Sequence, residues 1–517
     1  MEKKRVTEEL LKSIKGYENR KAYTTPFALQ PAGTMADTDS PNLKDHIKRT
    51  KVLNSIEEAV KLCGLKDGMT ISFHHSFRNG DKTLPMVMEV LAKMGFKNLR
   101  IAASSLTGAH ECLVDHIKNG VVNRIESSGL RGKLATAISE GILGDNPAVI
   151  RSHGGRARAI VEGDLKIDVA FLAAPSSDCM GNANGTRGKA ICGSMGYAKV
   201  DAAHADKVVI LTDTLVEYPN HPISIPQTDV DYVVLVDEIG DPNGIMSGAT
   251  RFTSNPKELL MARKVLDAML ASGLFVDGFS MQTGSGGAAL AVTRFIKDEL
   301  IKRNIKCSFA LGGITKPFVD LLEEGLIEKL FDTQSFDLGA AESVGRNERH
   351  EEISADFYAN PFNDSPAVNK LDFVVLSALE VDKDFNVNVI SGSDGVIREA
   401  SGGHSDTAAA AKVSIVVAPL TRGRIATIKE KVTTVVTPGS TVDVVVTDYG
   451  VVVNPRRPDL KEKFKAAGVQ MVTMEELLKM ADFIVGKPKE IEFEDQIVAV
   501  VEYRDGSIID VVRKIKR

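Results

Sequence analysis

The second half of this chain repeats the first, and that repetition limits the possible folds more than any other feature. Asp67–Phe73 (DGMTISF) corresponds to Asp277–Thr283 (DGFSMQT), Val114–Ser128 to Val319–Thr333, Ile167–Asn184 to Leu371–Asn388, and Ala205–Leu211 to Ala410–Val416. The order is kept and the offset stays between 204 and 210 residues. Two α/β halves from one duplicated ancestor are expected. Strand-like runs alternate with helical stretches: Met69–Phe73, Leu99–Ala103, Asp168–Leu172, Lys207–Leu211 and Tyr232–Val236 in the first half, then Cys307–Leu311, Phe373–Leu376, Val413–Val417 and Val442–Val446 in the second. This alternation predicts α/β layers around largely parallel sheets.

The expected organisation is an arm over 1–48, a first α/β domain over 49–250 and a second over 251–517. The second should end in a helix over Leu460–Lys479 and a hairpin turning at Arg504-Asp505-Gly506. At 517 residues the chain exceeds one ordinary core, which suits two domains. A net charge of −5 argues against a general nucleic-acid binder. The first fifteen residues lack the apolar run of a signal peptide, and no stretch reaches the length of a membrane span. Five cysteines without paired spacing read as reduced thiols of a cytoplasmic protein.

The densest chemistry sits after the first strand of each half. In the second half, Gly284-Ser285-Gly286-Gly287 follows a strand and opens a helix whose apolar positions Ala289, Leu290, Val292, Phe295 and Ile296 have helical spacing. Such a loop brings backbone N–H groups close to a ligand, although a glycine loop seen alone is more often an ordinary tight strand-to-helix turn, and it is the repeat around it that singles this one out. No Gly-Lys-Ser/Thr follows, so it is not a Walker loop. In the first half the equivalent loop is His74–Lys82 (HHSFRNGDK), where His74, His75 and Arg78 could hold a carboxylate. SGLRGK, with Arg131, and RSHGGRAR add cations to that half. SGGHSDT repeats the glycine-pair logic at Gly402 and Gly403, with His404 as a candidate acid or base. Glu380 and Asp382 could form a carboxylate pair, but only the aspartate has a counterpart in the first half (Asp178), which points to a turn. The histidines lack zinc-site spacing. Two glycine loops with cations opposite favour acyl transfer.

DGMTISFHHSFRNGDK, IDVAFLAAPSSDCMGNANG, FSMQTGSGGAALAVTRF, SALEVDKDFNVNVISGS and SGGHSDTAAAAK together resemble the α chains of bacterial citrate lyases, over nearly the whole chain. The resemblance implies the CoA-transferase superfamily fold, two similar α/β domains with the site between them. It also implies an activity: exchange of acetate for citrate on the thioester of an acyl carrier protein, whose prosthetic group derives from dephospho-CoA, with acetyl-CoA as a surrogate donor. No tightly bound cofactor on this chain is implied. The implied partners are a β chain that cleaves the citryl thioester and the carrier (γ) chain, in an oligomeric complex without membrane or nucleic acid. The catalytic candidates are then Gly284, Gly286, Gly287, Gly402, Gly403 and His404. The substrate candidates are His74, His75, Arg78, Arg131, Ser377 and Glu380. One departure stands out: related CoA-transferases place a nucleophilic glutamate after the threonine of LGGITKPF, and here Lys316 follows Thr315. That implies direct attack by the incoming carboxylate. Citramalate in place of citrate, or a transferase or hydrolase acting on free acyl-CoA, are the alternatives.

Overall fold

Strand order carries the duplication into topology. The computed structural model describes residues 8–13, 50–246, 253–284, 286–487 and 490–516. Of the expected arm, the helix Glu8–Lys12 falls within them, while Tyr23–Asn42 lies outside the described residues. The first sheet runs Val52–Leu53, Tyr232–Leu235, Lys207–Thr212, Val169–Ala173, Thr70–Phe73, Leu99–Ala103, Val122–Ser127, Ala148–Arg151. The second runs Gly450–Val453, Val444–Thr447, Val413–Val417, Phe373–Ser377, Phe279–Thr283, Cys307–Ile314, Ile327–Ser335, His350–Glu352. Repeated strands occupy equivalent places. Within these series, pairing is parallel except between Val444–Thr447 and Gly450–Val453. The smaller sheets repeat too: Ser176–Asp178 pairs with Ala183–Asn184 as Glu380–Asp382 pairs with Val387–Asn388.

Parallel strands covered on both faces need apolar residues at successive positions. In Phe373–Ser377, Val374 and Leu376 join the core built mainly by the first half, while Phe373 and Val375 join the second core around Met261, Leu266 and Phe318. A period of two in one strand thus fastens two cores together.

Two expectations at the C-terminal end need correction. The stretch over Leu460–Lys479 forms two helices, Pro458–Ala466 and Met474–Val485. Gly468 takes a left-handed φ of 72° between them, and Thr473 with Glu476 forms a capping box that starts the second. The hairpin does not close the second half. Its strand Phe493–Glu502 pairs with Ala148–Arg151 in parallel, Ala499 opposite Ala148, and with Ile508–Ile515 extends the first sheet to ten strands. Burial of Ala499 and Val501 covers that edge, and Glu502 supplies a carboxylate to the buried Arg151 (3.0 Å) and Arg158 (2.8 Å). No helix among the described residues is long and apolar enough to cross a membrane.

Candidate active site

A cavity of about 720 Å³ opens beyond the carboxyl ends of the two central strands, Thr70–Phe73 and Phe279–Thr283, and takes its walls from both halves. This is where open α/β sheets bind ligands. His75, Arg78, Arg131, Gly284, Gly286, Gly287, Ser377, Gly402, Gly403 and His404 line it. His74 and Glu380 do not. His74 is buried with both ring nitrogens engaged, Nδ1 with Ser76 Oγ (2.8 Å) and Nε2 with the Ala173 carbonyl (3.0 Å). Glu380 is buried in its own small sheet, where it pairs with Lys429 and accepts from Thr433 N (2.8 Å) and Asn388 Nδ2 (2.9 Å). Both serve the fold. Asp382 accepts from the main-chain N–H of Asp384 and Asn386, and Asp178 from those of Met180 and Asn182, so the shared aspartate shapes the same turn in each half.

The first-half wall is cationic and neutral-polar. Ser104 Oγ accepts from the His75 main-chain N–H (3.0 Å) and also meets His75 Nδ1 (2.6 Å), which leaves Nε2 as the ring nitrogen not engaged by Ser104. Burial, then the nearby His153, Arg78 and Arg131, hold the His75 imidazole neutral, far below its ordinary range. Its ring stacks on Tyr197 at 5.1 Å. Arg78 has a φ of 52°, a left-handed conformation that costs a non-glycine residue about 1–3 kcal/mol. The loop fixes it there: the Arg78 carbonyl accepts from Thr107 Oγ1 (3.0 Å), and the guanidinium lies over Phe336, 5.2 Å from the ring centre. Burial and then Arg131 bring Arg78 down to about 10, still a cation at neutral pH. Arg131 precedes the helix Gly132–Ser139; its Nε donates to Glu399 (2.8 Å) and its Nη1 to Ser105 Oγ (3.2 Å).

The second-half wall is built for backbone donors. Gly286 precedes the 17-residue helix Gly287–Arg303 and has no side chain to cap it, and among the described residues no side chain accepts from its first-turn N–H groups. A Cβ on Gly286 would overlap Ser377, and one on Gly287 would meet Glu258. Gly284 plays a different part from the one expected of it, because its N–H is spent on the Val375 carbonyl (2.7 Å). Ser285 lies outside the described residues. Gly402, at φ 56°, offers its carbonyl to His153 N (2.8 Å), and Gly403 lies against the Tyr358 hydroxyl. The helix that follows, His404–Ala410, is only seven residues long. His404 Nδ1 meets Thr437 Oγ1 at 2.7 Å, while among the described residues no well-formed hydrogen bond reaches its buried Nε2, and the Ser377 main chain lies beside the ring. Burial pushes His404 down to about 4, so it stays neutral.

Sequence reasoning missed His153, Tyr197, Gln282, Tyr358, Glu399 and Arg422, all on the cavity. Their signal was weak: only His153 and Gln282 sit in flagged motifs, and Tyr358 and Gln282 are ordinary until the fold joins them by a 2.8 Å hydrogen bond. Asp406 accounts for part of the site's order. Its carboxylate accepts from Ser152 Oγ (2.7 Å) and Gly154 N (2.9 Å), so the second half fixes the start of the helix that carries His153. Lys316 pairs with Asp320 at the start of another helix and is off the cavity. Among the described residues no group of three or more His, Cys, Asp or Glu is placed to hold a metal.

The family model "Citrate lyase, alpha subunit (CitF)" matches residues 49–515. The citrate lyase alpha chain of Haemophilus influenzae is 59% identical over 92% of this chain and 95% of its own. An alpha subunit of citrate lyase from Streptococcus mutans, solved in complex with citrate, superposes with a TM-score of 0.89 at 61% identity, over 91% of this chain and 92% of that one. The 4-hydroxybutyrate CoA-transferase of Porphyromonas gingivalis shares the fold alone, with a TM-score of 0.51 at 18% identity, over 82% of this chain and 99% of that one. With a cavity at the strand ends of a duplicated α/β fold and likeness of this extent, the chain belongs to the citrate lyase α-subunit family.

Proposed function

We propose that this subunit moves an acyl carrier thiol from acetate to citrate: acetyl-carrier plus citrate gives citryl-carrier plus acetate. The observation that carries the reading is that one cavity holds the cations Arg78 and Arg131, with Arg422 and Lys257 also on its lining, together with the N-terminus of Gly287–Arg303, which no described side chain caps. About 300–1,000 Å³ is the range for sites that enclose a small molecule, and this cavity has space for citrate beside the end of an acyl arm. A citrate carboxylate oxygen attacks the acetyl carbonyl carbon; the negative charge passes to the carbonyl oxygen, where N–H groups of Gly287–Arg303 and His404 Nε2 lie within the same cavity. Collapse expels the carrier thiolate and leaves a citryl–acetyl anhydride. The thiolate then adds to the citryl carbonyl and releases acetate, with no proton gained or lost overall. Other citrate carboxylates need cationic partners, because burying them unpaired is prohibitive. Arg78 and Arg131 supply these, with His75 donating beside them.

The donor is a carrier subunit whose arm derives from dephospho-CoA, with acetyl-CoA as surrogate, and a β chain consumes the citryl thioester in the cytoplasm. The two halves supply the two walls of the cavity, with the C-terminal hairpin built into the first sheet. Arg78→Lys tests the assignment. It removes a planar fork worth about 1.5–3 kcal/mol in a charge-assisted contact, so the KM for citrate should rise at least tenfold while that for the acyl donor stays near wild type. A rise in the donor term alone would reverse the roles of the two walls.

A further inference from the structure

Glu399 is the carboxylate that occupies a substrate cation in this cavity. It comes from the second half, in the segment Glu399–Ser401 that crosses to the first half: Gly129 bridges Ala400 in antiparallel fashion, and Ser401 N donates to the Ser128 carbonyl (2.8 Å). The main chain is pinned while the side chain keeps 39% of its surface exposed. Its Oε2 takes the Arg131 Nε proton at 2.8 Å. Nε belongs to the side-on edge of the guanidinium, one of the two edges that can grip a carboxylate with paired hydrogen bonds. Arg131 is also tied by Nη1 to Ser105 Oγ (3.2 Å), so it keeps an anchor when Glu399 leaves. Arg78 and Arg422 feel the same negative charge.

A fixed carboxylate is a poor neighbour for a tricarboxylate, since both compete for the same cations. We infer that Glu399 is a placeholder for a substrate carboxylate: it neutralises Arg131 in the empty cavity, and citrate displaces it. This rests on the reading of the cavity as the citrate site. The device sets specificity by charge. A ligand gains Arg131 only by outbidding a resident carboxylate, which a polycarboxylate can do with its further contacts to Arg78 and a monocarboxylate such as acetate cannot. It therefore favours citrate entry and acetate release.

The test is the sign of one substitution. Glu399→Gln keeps a neutral acceptor for Arg131 and removes the charge. Citrate affinity of the full chain is measured by calorimetry, for the wild type, Glu399→Gln, Arg131→Gln and the double variant. A partly exposed ion pair is worth up to about 1 kcal/mol, so Glu399→Gln should tighten citrate binding about fivefold. In the Arg131→Gln background the same change should give little or none of that gain. Acetate should gain measurable affinity in Glu399→Gln. Unchanged or weaker citrate binding in Glu399→Gln would overturn the placeholder and make Glu399 a support that orients Arg131. If the wild-type chain takes up no citrate at all, the cavity reading itself fails, which is a different result from a wild type that binds and a variant that does not tighten.

Discussion

At the scale of single residues, the site turns on which groups have spare donors. Gly284 has spent its N–H on Val375, whereas Gly286 and Gly287 are glycine because neighbours leave no space for a Cβ. The conflict at Gly286 is with one side chain, Ser377. Gly286→Ala should therefore abolish acyl transfer by pushing the loop off its position, and adding Ser377→Gly should restore part of it. Loss of one oxyanion donor typically costs about 3–4 kcal/mol, so the single variant should fall at least a hundredfold in kcat. If the single variant keeps full activity, the helix N-terminus does not serve the reaction. If the double variant stays inactive although folded, the clash is not the cause of the loss.

At the scale of elements, the C-terminal hairpin ties the end of the chain to the site. Glu502 neutralises Arg151 and Arg158, and the guanidinium of Arg504, at the hairpin turn, lies 3.7 Å from Asp406, which fixes the start of the His153 helix. Glu502→Gln should destabilise the protein by about 3–5 kcal/mol, because it leaves buried cations short of a counter-charge. Urea unfolding would read this, and a loss below about 1 kcal/mol would mean that Glu126 and Asp164 suffice for the two arginines. The hairpin itself was legible from Arg-Asp-Gly, but its destination was not. A strand adds to whichever edge buries its apolar face, and Ala499 and Val501 fit more than one edge on pattern alone. The repeat placed the central strands correctly, since apolar runs mark strands covered on both faces. The search for strand-like runs passed over Val122–Ser127 and Ile327–Ser335, although the repeat aligns them, because exposed or half-buried Asn123, Arg124, Glu328 and Lys329 break such a run. His74 and His75 show the limit for site residues: adjacent in sequence, they point to opposite duties because successive backbone positions face different neighbours.

At the scale of the whole molecule, the cavity and the core beneath it hold several neutral imidazoles. Burial lowers His74 and His75, brings His153 to about 3 and His404 to about 4, against 6.5 when unfolded. Unfolding therefore takes up protons on these groups, so the stability they permit is whole above about pH 6.5 and is lost as pH falls toward 4. Asp406 works the other way, raised from 3.8 to about 6 by burial, and offsets part of this loss between those values. The urea midpoint should fall from pH 7 to 4.5, and His404→Gln should flatten that slope; a midpoint that holds or rises on acidification would contradict the buried neutral histidines. The lining of the same cavity bears on the proposed kinetic pathway. Among the described residues, the cavity offers two glutamates, Glu258 and Glu399, and Glu399 is held by Arg131. Lys316, at the position where related transferases place the glutamate, pairs with Asp320 off the cavity. In the direct attack proposed above, donor and citrate are bound together, and proximity can supply about 7–11 kcal/mol of the barrier. Initial rates with acetyl-CoA or acetyl-carrier against citrate should give intersecting, not parallel, double-reciprocal lines. Borohydride treatment of the donor-loaded protein should leave every glutamate unmodified by peptide mass, and reduction at Glu258 or Glu399 together with parallel lines would replace direct attack with a covalent route.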